Sequence, residues 1–168
     1  LLIGNDWKKK GLSCLLEAVG RLRSPQLRVL VAGTDSQTPY QSMIRRLGLL
    51  AQVSFLPPRS DVEFYYAAAD AYVGPSLEDA FSLPPAEAMA CGLPVVTTRM
   101  AGVSEIIHHE VDGLILENPT DAELLSRWLG RLSTDPGWCR QLGDAAAQTP
   151  KQYTWARNAE RTLEVFEQ

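Results

Sequence analysis

The sequence has no apolar run approaching the roughly twenty residues that a helix needs to cross a bilayer, and no charged-then-apolar leader. Neither a membrane span nor a signal peptide is therefore expected. It is also poor in cysteine. Cys14, Cys91 and Cys139 are odd in number, lack C-x-x-C spacing, and each falls within a helical pattern. That excludes a disulfide framework and fits free thiols in a reducing, cytoplasmic setting. Basic excess is missing too: 16 Lys and Arg stand against 20 Asp and Glu, a net charge of −4, so the footprint of a nucleic-acid binder is absent. The only histidines, His108 and His109, are adjacent and have no acid or Cys at ligand spacing, so no metal site is expected.

What the chain does have is size and alternation. Its 168 residues, 45% of them hydrophobic, suffice for one well-buried domain and are short for two. Leu1 to Gly4 reads as a strand without Met or lead-in, as expected of a domain boundary inside a longer protein. Residues 12–23 place Leu12, Leu15, Leu16, Val19 and Leu22 at helical spacing. Leu27 to Ala32 reads as a strand, Thr34 to Tyr40 as a polar loop, residues 41–49 as a helix and Val53 to Leu56 as a strand. Ser60 and Glu63 form a capping-box pattern ahead of a short helix at Val62 to Ala69, where Phe64, Tyr65 and Tyr66 read as packing residues. Ala71 to Val73 and Val95 to Thr98 are further strands, Gly102 to Ile107 a brief helix, and Val111 to Ile115 a turn and last short strand. A helix then starts at Asn118 to Asp121, and segments 135–148 and 152–167 follow as helices without intervening strands. The pattern predicts an α/β fold, a Rossmann-like parallel sheet sandwiched by helices, with extra C-terminal helices.

Residues 75–96 connect a strand end, a loop, a helix and a new strand with no spare length. Pro84-Pro85 opens a helix of about Leu83 to Cys91, and Gly92 with Pro94 closes it. The unpartnered N–H groups at its start suit an anion such as a phosphate. Asp79 before the helix and Glu87 one turn inside it would repel a phosphate, but each accepts hydrogen bonds from hydroxyls, and a vicinal diol offers two donors. An anion cradle flanked by two such acids describes a nucleotide-sugar site. Lys8-Lys9-Lys10, in the first strand-to-helix loop, lie where ligands bind in open α/β folds, although a charge run is more often simply a solvated loop.

The run Asp79-x7-Glu87, with Ala88-Met89-Ala90-x-Gly92-x-Pro94-Val95, resembles the E-x7-E signature of group 1 retaining glycosyltransferases of the GT-B fold. Gly4 with Lys10-Gly11 is similar to that family's G-x5-K-G loop, and the basic run is similar to its lipopolysaccharide-core glucosyltransferase branch. The resemblance implies the C-terminal half of a two-domain enzyme, its N-terminal acceptor domain absent. It implies binding of a nucleoside-diphosphate sugar, UDP-hexose favoured and GDP-mannose next, for retaining transfer to a glycan or glycolipid. By it, Glu87 takes the ribose and Asp79 is the catalytic, sugar-side acid. Phe81, Ser82 and Leu83 offer backbone N–H groups to the phosphates, Lys10 and Lys9 contact the diphosphate, and Arg59 meets the base. No cofactor is implied, and the chain has no D-x-D pair for a metal. A cytoplasmic location follows, with room for peripheral membrane association of the full-length enzyme. The isolated domain should bind but hardly catalyse.

Three residues depart from the family pattern, which has Glu at the first acid and Gly on both sides of the Phe: Asp79, Ala80 and Ser82. Either the loop shifts or the sugar contact differs, and Glu78 competes with Asp79 for the role of first acid. Two other readings stay open. One is a sugar-nucleotide epimerase of the same architecture, which fits the E-A-M-A run less well. The other is a non-catalytic flavodoxin-like module, for which Asp6 and Asp35 are the only early acids in strand-end loops.

Overall fold

The computed structural model describes residues 1–167. Its strands are β1 (Leu2–Ile3), β2 (Val29–Ala32), β3 (Val53–Leu56), β4 (Tyr72–Val73), β5 (Val95–Thr98) and β6 (Leu114–Leu116). They pair in parallel as two three-stranded sets, β1-β2-β3 and β4-β5-β6. Two hydrogen bonds join the sets: the Val73 N–H donates to the Leu1 carbonyl at 2.8 Å, and the Leu1 amino group donates to the Ala71 carbonyl at 2.9 Å. Read across that seam the order is 3-2-1-4-5-6, that of a doubly wound fold. The crevice at the order reversal opens between the loops that leave β1 and β4.

Adjacent strand residues divide between two cores, because successive side chains point to opposite faces. Leu2, Val73, Val96, Leu114 and Leu116 face the core built with α1 (Leu12–Leu22), α2 (Thr38–Arg46) and α5 (Ala122–Thr134). Leu1, Tyr72, Val95 and Ile115 face the other, with α3 (Glu63–Ala67), α4 (Leu83–Ala90) and a 3-10 helix at Gly102–Ile106. The expected sandwich is therefore present. α6 (Pro136–Ala146) adds Leu142 to the first core and Ala146 to the second. α7 (Trp155–Phe166) buries none of its residues and leaves Trp155, Leu163, Val165 and Phe166 exposed. No helix among the described residues is long and apolar enough to cross a membrane.

Two local expectations are corrected. α2 begins at Thr38, three residues earlier than the apolar spacing suggests, because Pro39 sits in its first turn; Tyr40, expected in a polar loop, is buried. Ser60 does not cap α3: Val62 stands at the cap position without a side-chain hydrogen bond.

Candidate functional site

The loop after β1 is braced from beneath by a residue that no local pattern marks. Trp7 is 2% exposed; its indole N–H donates to the Gly4 carbonyl at 2.8 Å, and its backbone N–H donates to Asp35 at 2.7 Å. Its ring packs on Phe55 at a centroid distance of 5.1 Å. The loop then turns through Asp6, whose carbonyl and carboxylate accept from Lys10 and Lys9 backbone N–H groups, and presents both lysine side chains toward the loop after β4. The two loops touch. The Leu77 N–H donates to the Lys9 carbonyl at 2.7 Å, and Gly11 at φ 75° lies so close to the other loop that a Cβ would meet the Pro75 carbonyl oxygen at 1.9 Å.

On the other side, residues 79–81 run alongside residues 100–103. Asp79 N–H donates to the Met100 carbonyl at 3.1 Å, Gly102 N–H to the Asp79 carbonyl at 3.1 Å, and Val103 N–H to the Phe81 carbonyl at 2.7 Å. Gly102 owes its identity to this approach, since a Cβ there would come within 2.1 Å of the Ala80 carbonyl oxygen. The close neighbour of Gly102 is thus the motif loop itself. The motif loop is held from both flanks by backbone hydrogen bonds.

The structure brings Lys9, Lys10, Glu78 and Asp79 together around an open cavity of about 490 Å³, also lined by Asn5, Asp6, Ala80 and Met100, with Ser82 buried behind Lys10. Lys10 Nζ pairs with Asp79 Oδ2 and donates to Ser82 Oγ at 3.2 Å, while the more exposed Lys9 pairs with Glu78. Burial alone would raise the Asp79 pKa, but Lys10, the Ser82 hydroxyl and the Phe81 N–H together bring it below the usual carboxylate value. Asp79 is thus an anion in close contact with the inner lysine, and Glu78 belongs to the outer one. The two candidate first acids occupy different places.

Ser82 stands at the N-terminal cap position of α4 with φ 71° and ψ 90°, although it carries a Cβ. The loop has kept the backbone that glycine would adopt freely, and the serine is held in it. Among the described residues, the Ser82 and Leu83 N–H groups have no acceptor, and Pro84 and Pro85 carry none. The free donors at this helix start are thus those of Ser82 and Leu83, while the Phe81 N–H faces the Asp79 carboxylate.

Glu87 projects from α4, exposed apart from one contact: Tyr66 donates its phenol hydrogen to Glu87 Oε2 at 2.6 Å. Tyr66 is 2% exposed, so the expectation of packing holds for its ring but fails for Phe64, which is exposed; the Tyr66 hydroxyl adds a polar role that spacing does not reveal. Arg59 stands apart on the loop after β3. Its guanidinium forks onto Asp61 at 2.8 and 2.6 Å and lies over the Phe64 and Tyr65 rings. It thus forms a cationic and aromatic platform at the same end of the sheet. Among the described residues no group of three or more His, Cys, Asp or Glu is placed to hold a metal ion.

The sequence profile described as "Glycosyl transferases group 1" matches residues 1–149. An MMP alpha-(1->4)-mannosyltransferase from Mycolicibacterium hassiacum is 35% identical over 96% of the chain and 41% of its own length. The lipopolysaccharide glucosyltransferase WaaG of Escherichia coli is 29% identical over 95% of the chain and 40% of its own length. Among solved structures, a sucrose-phosphate synthase from Thermosynechococcus elongatus superposes with a TM-score of 0.87 at 27% identity, covering 99% of this chain and 44% of that one. The chain spans about two fifths of the length of these relatives.

Proposed function

The chain belongs to the group 1 glycosyl transferases, and from that membership we propose that it is the donor-binding part of a two-domain enzyme that transfers a hexose from a nucleoside diphosphate to a glycan or glycolipid. The observation that most supports this is the convergence at one crevice of Lys9, Lys10, Asp79, Ser82 and the start of α4, with Glu87 one turn further along that helix. Lysines and unpartnered N–H groups suit a diphosphate, and carboxylates suit hydroxyls.

In this reading the diphosphate takes Lys10, Lys9 and the N–H groups of Phe81, Ser82 and Leu83. These donors also stabilise the charge that grows on the departing diphosphate, without requiring a metal. Binding of the phosphates displaces Asp79 from Lys10 and frees its carboxylate to accept from the donor sugar, as the catalytic acid of the motif. Glu87 accepts from the ribose hydroxyls, and the base lies over Arg59 and its aromatic neighbours. UDP-glucose is the favoured donor and GDP-mannose the next, transfer retains configuration, and the acceptor is held by a further domain. The enzyme works in the cytoplasm, with peripheral membrane contact where the acceptor is a lipid. Neither the epimerase nor the flavodoxin-like reading is favoured by any observation here.

The test is calorimetric titration of UDP, UDP-glucose and GDP-mannose into the chain and into a Glu87→Ala variant. Removing a charged acceptor of two hydroxyls should cost about 1.5–3 kcal/mol, more than tenfold in affinity. A parent that binds none of the three, or a variant that binds as well as the parent, refutes the assignment.

A further inference from the structure

We propose that Tyr66 is a positioning residue for Glu87, fixing the carboxylate in the orientation that accepts the ribose hydroxyls; this rests on the reading of Glu87 given above. The two residues lie on different helices, α3 and α4, and meet through the Tyr66 phenol on Glu87 Oε2. A glutamate on an exposed helix face gives up rotamer freedom when it is ordered. Tyr66 imposes much of that order before any ligand arrives. An ionised carboxylate offers about four lone-pair sites. The phenol occupies one, and Oε1 with the remaining site on Oε2 is left for a pair of adjacent hydroxyls.

The arrangement has fixed parts. Tyr66 is 2% exposed and packs in the same core as Ala88 and Met89, the residues that follow Glu87 on α4. Its phenol is firmly protonated: burial first, and then the Glu87 carboxylate, push its pKa far above the ordinary tyrosine value, so its hydrogen stays available to donate to Glu87. Neighbouring Tyr65 donates to the Pro57 carbonyl at 2.7 Å, tying the five-residue α3 to the loop behind it. Short as it is, that helix holds the phenol in place.

The same core supplies an internal control. Tyr72 is 0% exposed, and its hydroxyl has no hydrogen-bond partner among the described residues. It fills the space beside Gly74, where a Cβ would lie 2.9 Å from the phenol oxygen. Tyr72→Phe thus removes a buried hydroxyl from the same layer without touching Glu87.

The experiment titrates UDP and its 2′,3′-dideoxy counterpart into the parent chain and into the Tyr66→Phe, Tyr72→Phe and Glu87→Ala variants, with a thermal melt of each. Glu87→Ala should lose more than tenfold toward UDP and little toward the dideoxy ligand. Tyr66→Phe should lose about three- to tenfold toward UDP only, because the ordering of Glu87 matters only to a ligand with ribose hydroxyls. Tyr72→Phe should bind both ligands as the parent does. The ratio of the two affinities is taken within each folded variant, so a lowered melting temperature does not affect it. The inference is overturned if Tyr66→Phe keeps the parental ratio, if it loses both ligands equally, or if Tyr72→Phe matches it. If Glu87→Ala keeps the parental ratio, the ribose reading fails and the inference goes with it. If Glu87→Ala alone changes the ratio, the reading stands and only the role of Tyr66 falls.

Discussion

Ser82 holds a side chain where the backbone favours none, at φ 71° and ψ 90°. Such a conformation costs on the order of 1–3 kcal/mol for a residue with a Cβ. Ser82→Gly should therefore stabilise the chain by about 1 kcal/mol after its own entropy cost, a rise in melting temperature of about 2–4 °C for a domain of this size. Both variants lose the Lys10 contact, but Ser82→Ala also keeps the strained backbone and should not melt higher than the parent. Equal melting of the glycine and alanine variants would show that the position carries no strain. At this scale the sequence was informative wherever chemistry is local. The spacing from Asp79 to Glu87 and the position of Lys10 named the acids and the lysine that the structure groups at one end of the sheet. Two things escaped. One is the direct pairing of Lys10 with Asp79, 69 residues apart. The other is the part played by Trp7 and Tyr66, whose partners Asp35, Phe55 and Glu87 lie far along the chain. An aromatic residue among charges or in a helix gives no sign of what its polar atom will meet.

Between elements, the decisive contact is that of the two loops that leave β1 and β4. Gly11 combines φ 75° with a gap to the Pro75 carbonyl too small for any methyl group. Gly11→Ala adds a wrong-handed backbone to a backbone clash, and the expected loss is on the order of 3 kcal/mol, read by denaturant unfolding. A variant as stable as the parent would mean that the loops separate at little cost. The β3 and β5 strands and α4 were legible almost to the residue, since a short apolar stretch after a turn marks β3, a run of β-branched residues marks β5, and a proline pair followed by glycine bounds α4. α2 was not, because the proline that starts it lies in a polar stretch where apolar periodicity is silent. The capping box before α3 failed for a different reason. The helix starts at Glu63 with Val62 at its cap, so Ser60 lies two residues too early to cap it.

Across the whole molecule, α7 contrasts with every other helix of comparable length. Its apolar residues Trp155, Leu163, Val165 and Phe166 are 60–81% exposed. The helical tail was legible from the end of strand alternation, whereas the exposure of its apolar face was not, because amphipathic spacing does not say which surface covers it. A chain ending at residue 154 should melt within about 2 °C of the parent, because it loses no core contacts; a fall of 5 °C or more would show that α7 supports the domain.

The seam between the two strand sets has a consequence for how binding arises during folding. Lys10 belongs to one set and Asp79, Ser82 and Glu87 to the other, and the sets meet through backbone bonds between residues about seventy positions apart. Contacts of such sequence separation carry a large loop-closure cost and form late. Neither set alone presents both charges. On the proposed function, a chain in which only one has formed holds half of the diphosphate site, so affinity for UDP should appear in one step, when the last long-range pairing closes.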